Sequence, residues 1–229
     1  MVPQAMRFDV EETLMDRTQS IGQYAARFQR DFAAHVAPIA VPTIVTTILT
    51  ADERGYRPRD ALFGDLLQQL PWQTPLDVVR LHAHWETWFP ASSVARAGLT
   101  ATLTTLHAQG MRLGVVTNGV VRRQQPTIEH LHMRPSLSTV VISEAVQVKK
   151  PDPRICARAL AEVGCEAPQA WCVGDHPVHD VCGAGAVGLR PMWLRGGYPW
   201  PPDHPAPPWQ IGALPALGEL VHQERTPAT

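Results

Sequence analysis

The chain has 229 residues, enough for one sizeable core plus an accessory domain and too few for three domains. Its 20 Lys+Arg against 21 Asp+Glu leave a net charge of −1, so no general field favours a nucleic-acid polymer or an anionic membrane. No run approaches the roughly eighteen apolar residues of a membrane span. The first residues lack the charged, apolar, small-residue order of a secretion signal, so a cytoplasmic location is expected. Cys156, Cys165, Cys172 and Cys182 are accordingly expected as reduced, mostly buried thiols.

In chain order, Met6-Arg7-Phe8 reads as a short first strand leading to Asp9. From about residue 16 to 90 the character changes. Helical spacing appears at 21–32, 59–70 and 76–88, separated by proline-containing breaks, with no convincing strand. The apolar tract 36–49, broken by Pro38 and Pro42, reads as the buried side of a helical element. This region is expected to be a helical insert, the core resuming near Ser93 with a helix over 95–109 ended by Gly110. Its aromatic residues Tyr24, Trp72, Trp85 and Trp88 read as core.

Beyond it, β-rich runs at 113–117, 139–143, 170–174 and 190–194 alternate with helical patterns at 121–132, 153–163 and 178–186. That alternation of near-continuous apolar strands with helices predicts an α/β fold, a parallel sheet covered on both faces. The proline-dense stretch 196–208 is expected to be an extended surface wrap, and 214–222 a last helix.

Ligands in such sheets collect at the carboxyl ends of the strands, and the polar signals of this chain fall there. Asp9 follows the first strand; beside a divalent cation its carboxylate can attack a phosphoryl group, while taken alone it reads more readily as a helix cap. Glu11, two residues on in an extended segment, would share its side and can serve as general acid and base, or be a solvated loop acid. Thr117 and Asn118 close a strand before Gly119, offering a hydroxyl and backbone N–H groups to phosphate oxygens, or forming an ordinary turn. Lys150, held extended by Pro151, can neutralise the nucleophile and the transferring group, with Lys149 the more solvated alternative. Asp175 and Asp180 flank Pro177 and suit Mg2+. A zinc site of Cys172, His176, His179 and Cys182 is disfavoured, because its spacing matches no usual finger.

The ordered set Phe8-Asp9-Val-Glu11, Val116-Thr-Asn-Gly119, Lys150-Pro-Asp-Pro153 and Val173-Gly-Asp-His-Pro-Val-His-Asp180 resembles the haloacid dehalogenase superfamily of hydrolases. In particular it is similar to members with a helical cap inserted after the first motif, the phosphoglycolate phosphatase-like and nucleotidase-like group. The resemblance runs from Phe8 to about Gly197. It implies a Rossmann-like catalytic core over 1–15 and 93–229, an α-helical cap over 16–92, Mg2+, and hydrolysis of a small phosphorylated metabolite through an aspartyl-phosphate. By position, Asp9 would be nucleophile and metal ligand, the Glu11 backbone carbonyl and Asp175 further ligands, and Asp180 a support of the metal site. Thr117 and Lys150 would bind the phosphoryl group.

One position departs from the pattern: phosphatases of the superfamily usually carry Asp where this chain has Glu11. The expected function is therefore a Mg2+-dependent phosphatase. The alternatives are a degenerate member acting by ligand or partner binding and a metal-free 2-haloacid dehalogenase. The particular substrate, the cap residues that select it and the oligomeric state are not legible.

Overall fold

The computed structural model describes residues 3–205, 207 and 209–226. The chain divides into two compact units, Met1–Met15 with Ala95–Thr229, and Asp16–Val94. No helix among the described residues is long and apolar enough to cross a membrane.

The larger unit is built on a six-stranded sheet: β1 (Ala5–Phe8), β2 (Arg112–Thr117), β3 (Thr139–Ile142), β4 (Ala170–Gly174), β5 (Arg190–Leu194) and β6 (Gln210–Ile211). The strand order is β3-β2-β1-β4-β5-β6, with every pairing parallel. Helices of this unit are α5 (Leu99–Ala108), α6 (Val121–His130), α7 (Pro153–Val163) and α8 (Ala216–Arg225). Every residue of β1 and β4 is buried, as sheets with both faces covered require. The order reverses at β1, so the crevice beyond the carboxyl ends of β2, β1 and β4 is where such a fold binds ligands.

Strands β1 to β5 and helices α6 and α7 match the sequence expectation within a residue or two. The exceptions have physical reasons. Residues 178–186 do not form a regular helix: a π-helical turn, Pro177–Cys182, runs into a short α-turn, Gly183–Gly185. In this wider turn the Gly183 N–H donates to the Val178 carbonyl five residues back, and a Cβ at Gly183 would meet the Pro151 carbonyl oxygen at 3.0 Å. Strand β6 is too short to leave a periodic signal; it adds to β5 through Trp193↔Gln210 and Leu194↔Ile211. Of the proline-rich stretch, residues 206 and 208 lie outside the described residues, and the rest forms turns without helix or strand. The stretch is anchored rather than wholly superficial, because Gly197 is buried against the Asp175 carboxylate. The four cysteines are free thiols, Cys156 and Cys172 buried, Cys165 and Cys182 only partly so.

The second unit is helical: α1 (Arg17–Asp31), α2 (Val41–Asp52), α3 (Arg59–Gln69) and α4 (Val78–Trp88). Asp16 caps α1 by accepting from Gln19 N–H, and Asp77 caps α4 by accepting from Arg80 N–H. The tract 36–49 becomes helical only at Val41, with Pro42 in the first turn, while Val36 bridges to Trp72 in an antiparallel pair. Tyr24, Phe28, Trp85 and Phe89 fill its core, Trp85 and Phe89 stacked at 4.1 Å. Trp72 and Trp88 are only partly buried.

Candidate active site

Asp9 leaves β1 with its N–H still bonded to the Val173 carbonyl at 3.0 Å, which fixes the residue beside β4. The chain then turns. The N–H groups of Thr13, Leu14 and Met15 all donate to the Val10 carbonyl, and Glu12 takes a left-handed φ of 61°. Arg96 supports the turn by donating to the Glu12 carbonyl at 2.6 Å. The turn runs from Val10 to Met15, and Glu11 still bridges to Met15 in a parallel pair.

Lys150 stands at the centre of the site. Its ammonium, almost fully buried, lies 2.6 Å from Asp9 Oδ1 and 2.7 Å from Asp180 Oδ1. The backbone that carries it is clamped by Asn118, whose Oδ1 accepts from Lys150 N–H at 2.8 Å while its Nδ2 donates to the Lys150 carbonyl at 3.0 Å. The Asn118 side chain thus holds the Lys150 backbone at both its N–H and its carbonyl. Lys149 is exposed. Thr117, buried at the end of β2, has its hydroxyl 3.4 Å from the Asn118 carbonyl. Ser143 holds the following turn, accepting from Gly119 N–H at 3.0 Å and donating to the Gly119 carbonyl at 3.2 Å.

Asp175 follows β4 and is fixed on three sides. Thr13 Oγ1 donates to Asp175 Oδ1 and accepts from its N–H, each at 3.2 Å, and Trp193 Nε1 donates to its carbonyl at 2.9 Å. Its Oδ2 is buried without a hydrogen-bond partner. Asp180 Oδ2 accepts from His176 N–H at 3.0 Å. Thr13 and Trp193 are supports that residue patterns did not single out. The spacing Asp9-x-x-x-Thr13 was visible, but a buried threonine carries no chemical signal of its own.

Carboxylate oxygens of Asp9, Asp175 and Asp180 lie within 4.8 Å of one another. Burial and the neighbouring carboxylates of Asp9 and Asp180 push Asp175 up to about 8. Burial pushes Asp9 up to about 7 although Lys150 opposes it. Burial alone would lower Lys150, but Asp180 and Asp9 hold its pKa well above the usual lysine range, so it is charged. Three crowded carboxylates against one ammonium, one of them with a buried orphan oxygen, are a donor set that fits a hard divalent cation taking oxygen ligands. The Glu11 carboxylate is outside this cluster; its Oε1 accepts from Gln124 Nε2 at 3.0 Å.

The four residues weighed as a zinc site are not gathered as one among the described residues. His176 Nδ1 accepts from the N–H groups of Val178 and His179, and the His176 and His179 rings stack at 3.9 Å.

A profile of the Haloacid dehalogenase-like hydrolase family matches residues 7–194, and the chain belongs to that family. Glyceraldehyde 3-phosphate phosphatase of Pyrococcus abyssi is 28% identical over 192 residues, covering 83% of this chain and 80% of that protein. Phosphoserine phosphatase of Thermus thermophilus is 36% identical over 115 residues, 50% of this chain and 46% of the other. The putative HAD-hydrolase YfnB of Bacillus subtilis, a structure described as bound to magnesium, superposes with a TM-score of 0.75 at 19% identity, covering 96% and 99% of the two chains. That likeness is one of fold.

Proposed function

We propose that this hydrolase is a Mg2+-dependent phosphatase that cleaves a small-molecule phosphate monoester through an aspartyl-phosphate on Asp9. The observation that carries the reading is the Lys150 ammonium shared between Asp9 and Asp180 beside a third buried carboxylate, Asp175. The names of the two relatives, which specify phosphate monoesters of small molecules, support it.

Asp9, Asp175 and the Glu11 backbone carbonyl would hold the cation, with Asp180 supporting the site. When bound, Mg2+ supplies positive charge that offsets the repulsion between a phosphate dianion and an attacking carboxylate. Asp9 attacks phosphorus in line with the leaving oxygen. Lys150 and the turn at Thr117 hold the equatorial oxygens, which carry the charge spread in a loose transition state. Glu11 gives its proton to the leaving alcohol, then takes one from the water that releases phosphate from Asp9. The unit Asp16–Val94 would serve as the cap that excludes water and selects the substrate.

Release of phosphate from p-nitrophenyl phosphate and from a panel of small phosphate monoesters, with Mg2+ and with EDTA, tests the reading. Turnover should require Mg2+ and fall at least about a thousandfold in Asp9→Asn. Turnover that persists in EDTA or in Asp9→Asn would refute it, and release of halide from a 2-haloacid in EDTA would assign the other branch of the family.

A further inference from the structure

We propose that Gln124 is the positioning residue that holds the Glu11 carboxyl group for both of its proton transfers, an inference that rests on the phosphatase reading above. Gln124 lies in the first half of α6 and is 2% exposed. Its Nε2 donates to Glu11 Oε1 at 3.0 Å and stands 3.5 Å from the Asn118 carbonyl oxygen. Its Oε1 is buried with no hydrogen-bond partner.

The turn before α6 is shaped to admit this side chain. Gly119 has a φ of +151°, and a Cβ there would lie 2.7 Å from Gln124 Nε2 and 3.0 Å from its Cγ. A side chain at residue 119 would displace the amide that reaches Glu11. The close approach therefore ties the glycine of the Thr-Asn-Gly turn to the acid two residues beyond Asp9.

Physical chemistry explains why Glu11 requires such an anchor. Glutamate has one more rotatable bond than aspartate, so more conformations must be suppressed to bring its carboxyl to one point. An amide N–H suits the task because a carboxyl oxygen accepts from it in either protonation state. It supports the ionised carboxylate. When Glu11 is protonated, the proton sits on the oxygen that faces the substrate, and the same N–H still donates to the other, unprotonated oxygen. In the first half-reaction the ester P–O bond breaks, the Asp9–phosphorus bond forms, and the Glu11 proton passes to the leaving oxygen. In the second, water oxygen bonds to phosphorus, the Asp9–phosphorus bond breaks, and the water proton returns to Glu11. Gln124 forms and breaks no covalent bond in either.

The test reads proton donation separately from folding. Single-turnover release of the phenol is measured for ring-substituted phenyl phosphates in native protein, Gln124→Met and Gln124→Asn, with Mg2+ present. p-Nitrophenolate leaves well without a proton, whereas unsubstituted phenolate depends more on one. Gln124→Met should lose at least about tenfold more rate on phenyl phosphate than on p-nitrophenyl phosphate, steepening the dependence on leaving-group basicity. In a Glu11→Asp background, where the shorter acid withdraws from Gln124, the same substitution should change that ratio by less than about twofold. If Gln124→Met does not fold, Gln124→Asn carries the same comparison with the amide kept and its reach shortened. Equal losses on both substrates mean a structural role and overturn the inference, as does no loss. Absence of turnover by the native protein is a different failure: it removes the phosphatase reading, and this inference with it.

Discussion

Asp180 holds the ammonium of Lys150 as closely as Asp9 does, at 2.7 Å against 2.6 Å. Asp180 thus helps to fix where the buried ammonium in contact with Asp9 stands. Asp180→Asn keeps an acceptor for His176 N–H but loses half of the charge that anchors Lys150. The expected result is a fall in kcat of about a hundredfold, since small displacements in a catalytic site have that effect. Lys150→Met should fall further, by about a hundred- to a thousandfold, because it deletes the cation itself. Steady-state kinetics of both variants check this; an Asp180→Asn enzyme within a few-fold of native would show that Asp9 alone suffices.

The crowded carboxylates make metal-free stability depend on pH with a defined sign. Asp175 and Asp9 titrate near 8 and 7 when folded, against 3.8 for the ordinary carboxyl. The folded state therefore binds these protons more tightly than the unfolded state. The stability they contribute is complete below the unfolded value and lost as pH rises through the folded ones. Between about pH 5 and about pH 8.5 the melting temperature in EDTA should fall, and the increase produced by Mg2+ should widen with pH. Asp175→Asn should flatten the EDTA curve. Parallel curves with and without Mg2+ would exclude these carboxylates as the cation site.

Much of this site was legible because its chemistry is carried by local fragments at strand ends. Ala170–Gly174 is a continuous apolar run with a carboxylate after it, and such a run in an alternating chain has few other readings. What was not legible are relations between fragments. Gln124 reaches Glu11 across 113 positions, and Thr13 reaches Asp175 across 162. Periodicity says which face of α6 is buried, never which group lies beneath it. The π-helical turn escaped for a related reason: Asp180 meets Lys150 and Gly183 packs against Pro151, contacts between fragments that no local propensity encodes. Asn118 shows the limit most clearly. Its position after β2 was evident, but only the fold reveals that its amide is spent on the Lys150 backbone.

In the helical unit a buried ion pair sets a second pH limit. Asp52 is fully buried, Arg17 donates to both its oxygens at 2.8 Å, and Arg59 adds a third bond at 2.5 Å. Burial would raise the Asp52 pKa, but the two guanidinium groups outweigh it and hold the carboxyl below the ordinary range. This contribution is present above the unfolded value and lost as pH falls through the folded one, the opposite sense to Asp175. Asp52→Asn removes the buried negative charge that Arg17 and Arg59 share and should cost about 3–5 kcal/mol in denaturant unfolding. A cost under about 1 kcal/mol would mean that water replaces the carboxylate there.

Arg7 is an unexpected occupant of a central strand, and it explains a glycine in the next one. The guanidinium, 1% exposed, lies over Gly114 and donates to Thr139 Oγ1 and the Ala159 carbonyl, each at 2.8 Å. Burial lowers its pKa, which the Glu162 carboxylate opposes; the Ala159 carbonyl belongs to the carboxyl-terminal half of α7, whose dipole favours a cation. A Cβ at residue 114 would lie 1.8 Å from Arg7 Nη1, far inside contact. Gly114→Ala should therefore destabilise by at least about 1–3 kcal/mol through overpacking. Arg7→Ala alone should also destabilise, by opening a cavity and leaving Thr139 and Ala159 without their donor. Because the clash exists only while the guanidinium is present, the double variant should cost less than the two single costs added, by about 1 kcal/mol or more. Denaturant unfolding of the four proteins measures that coupling, and strict additivity would show that Arg7 swings away from residue 114 at no cost.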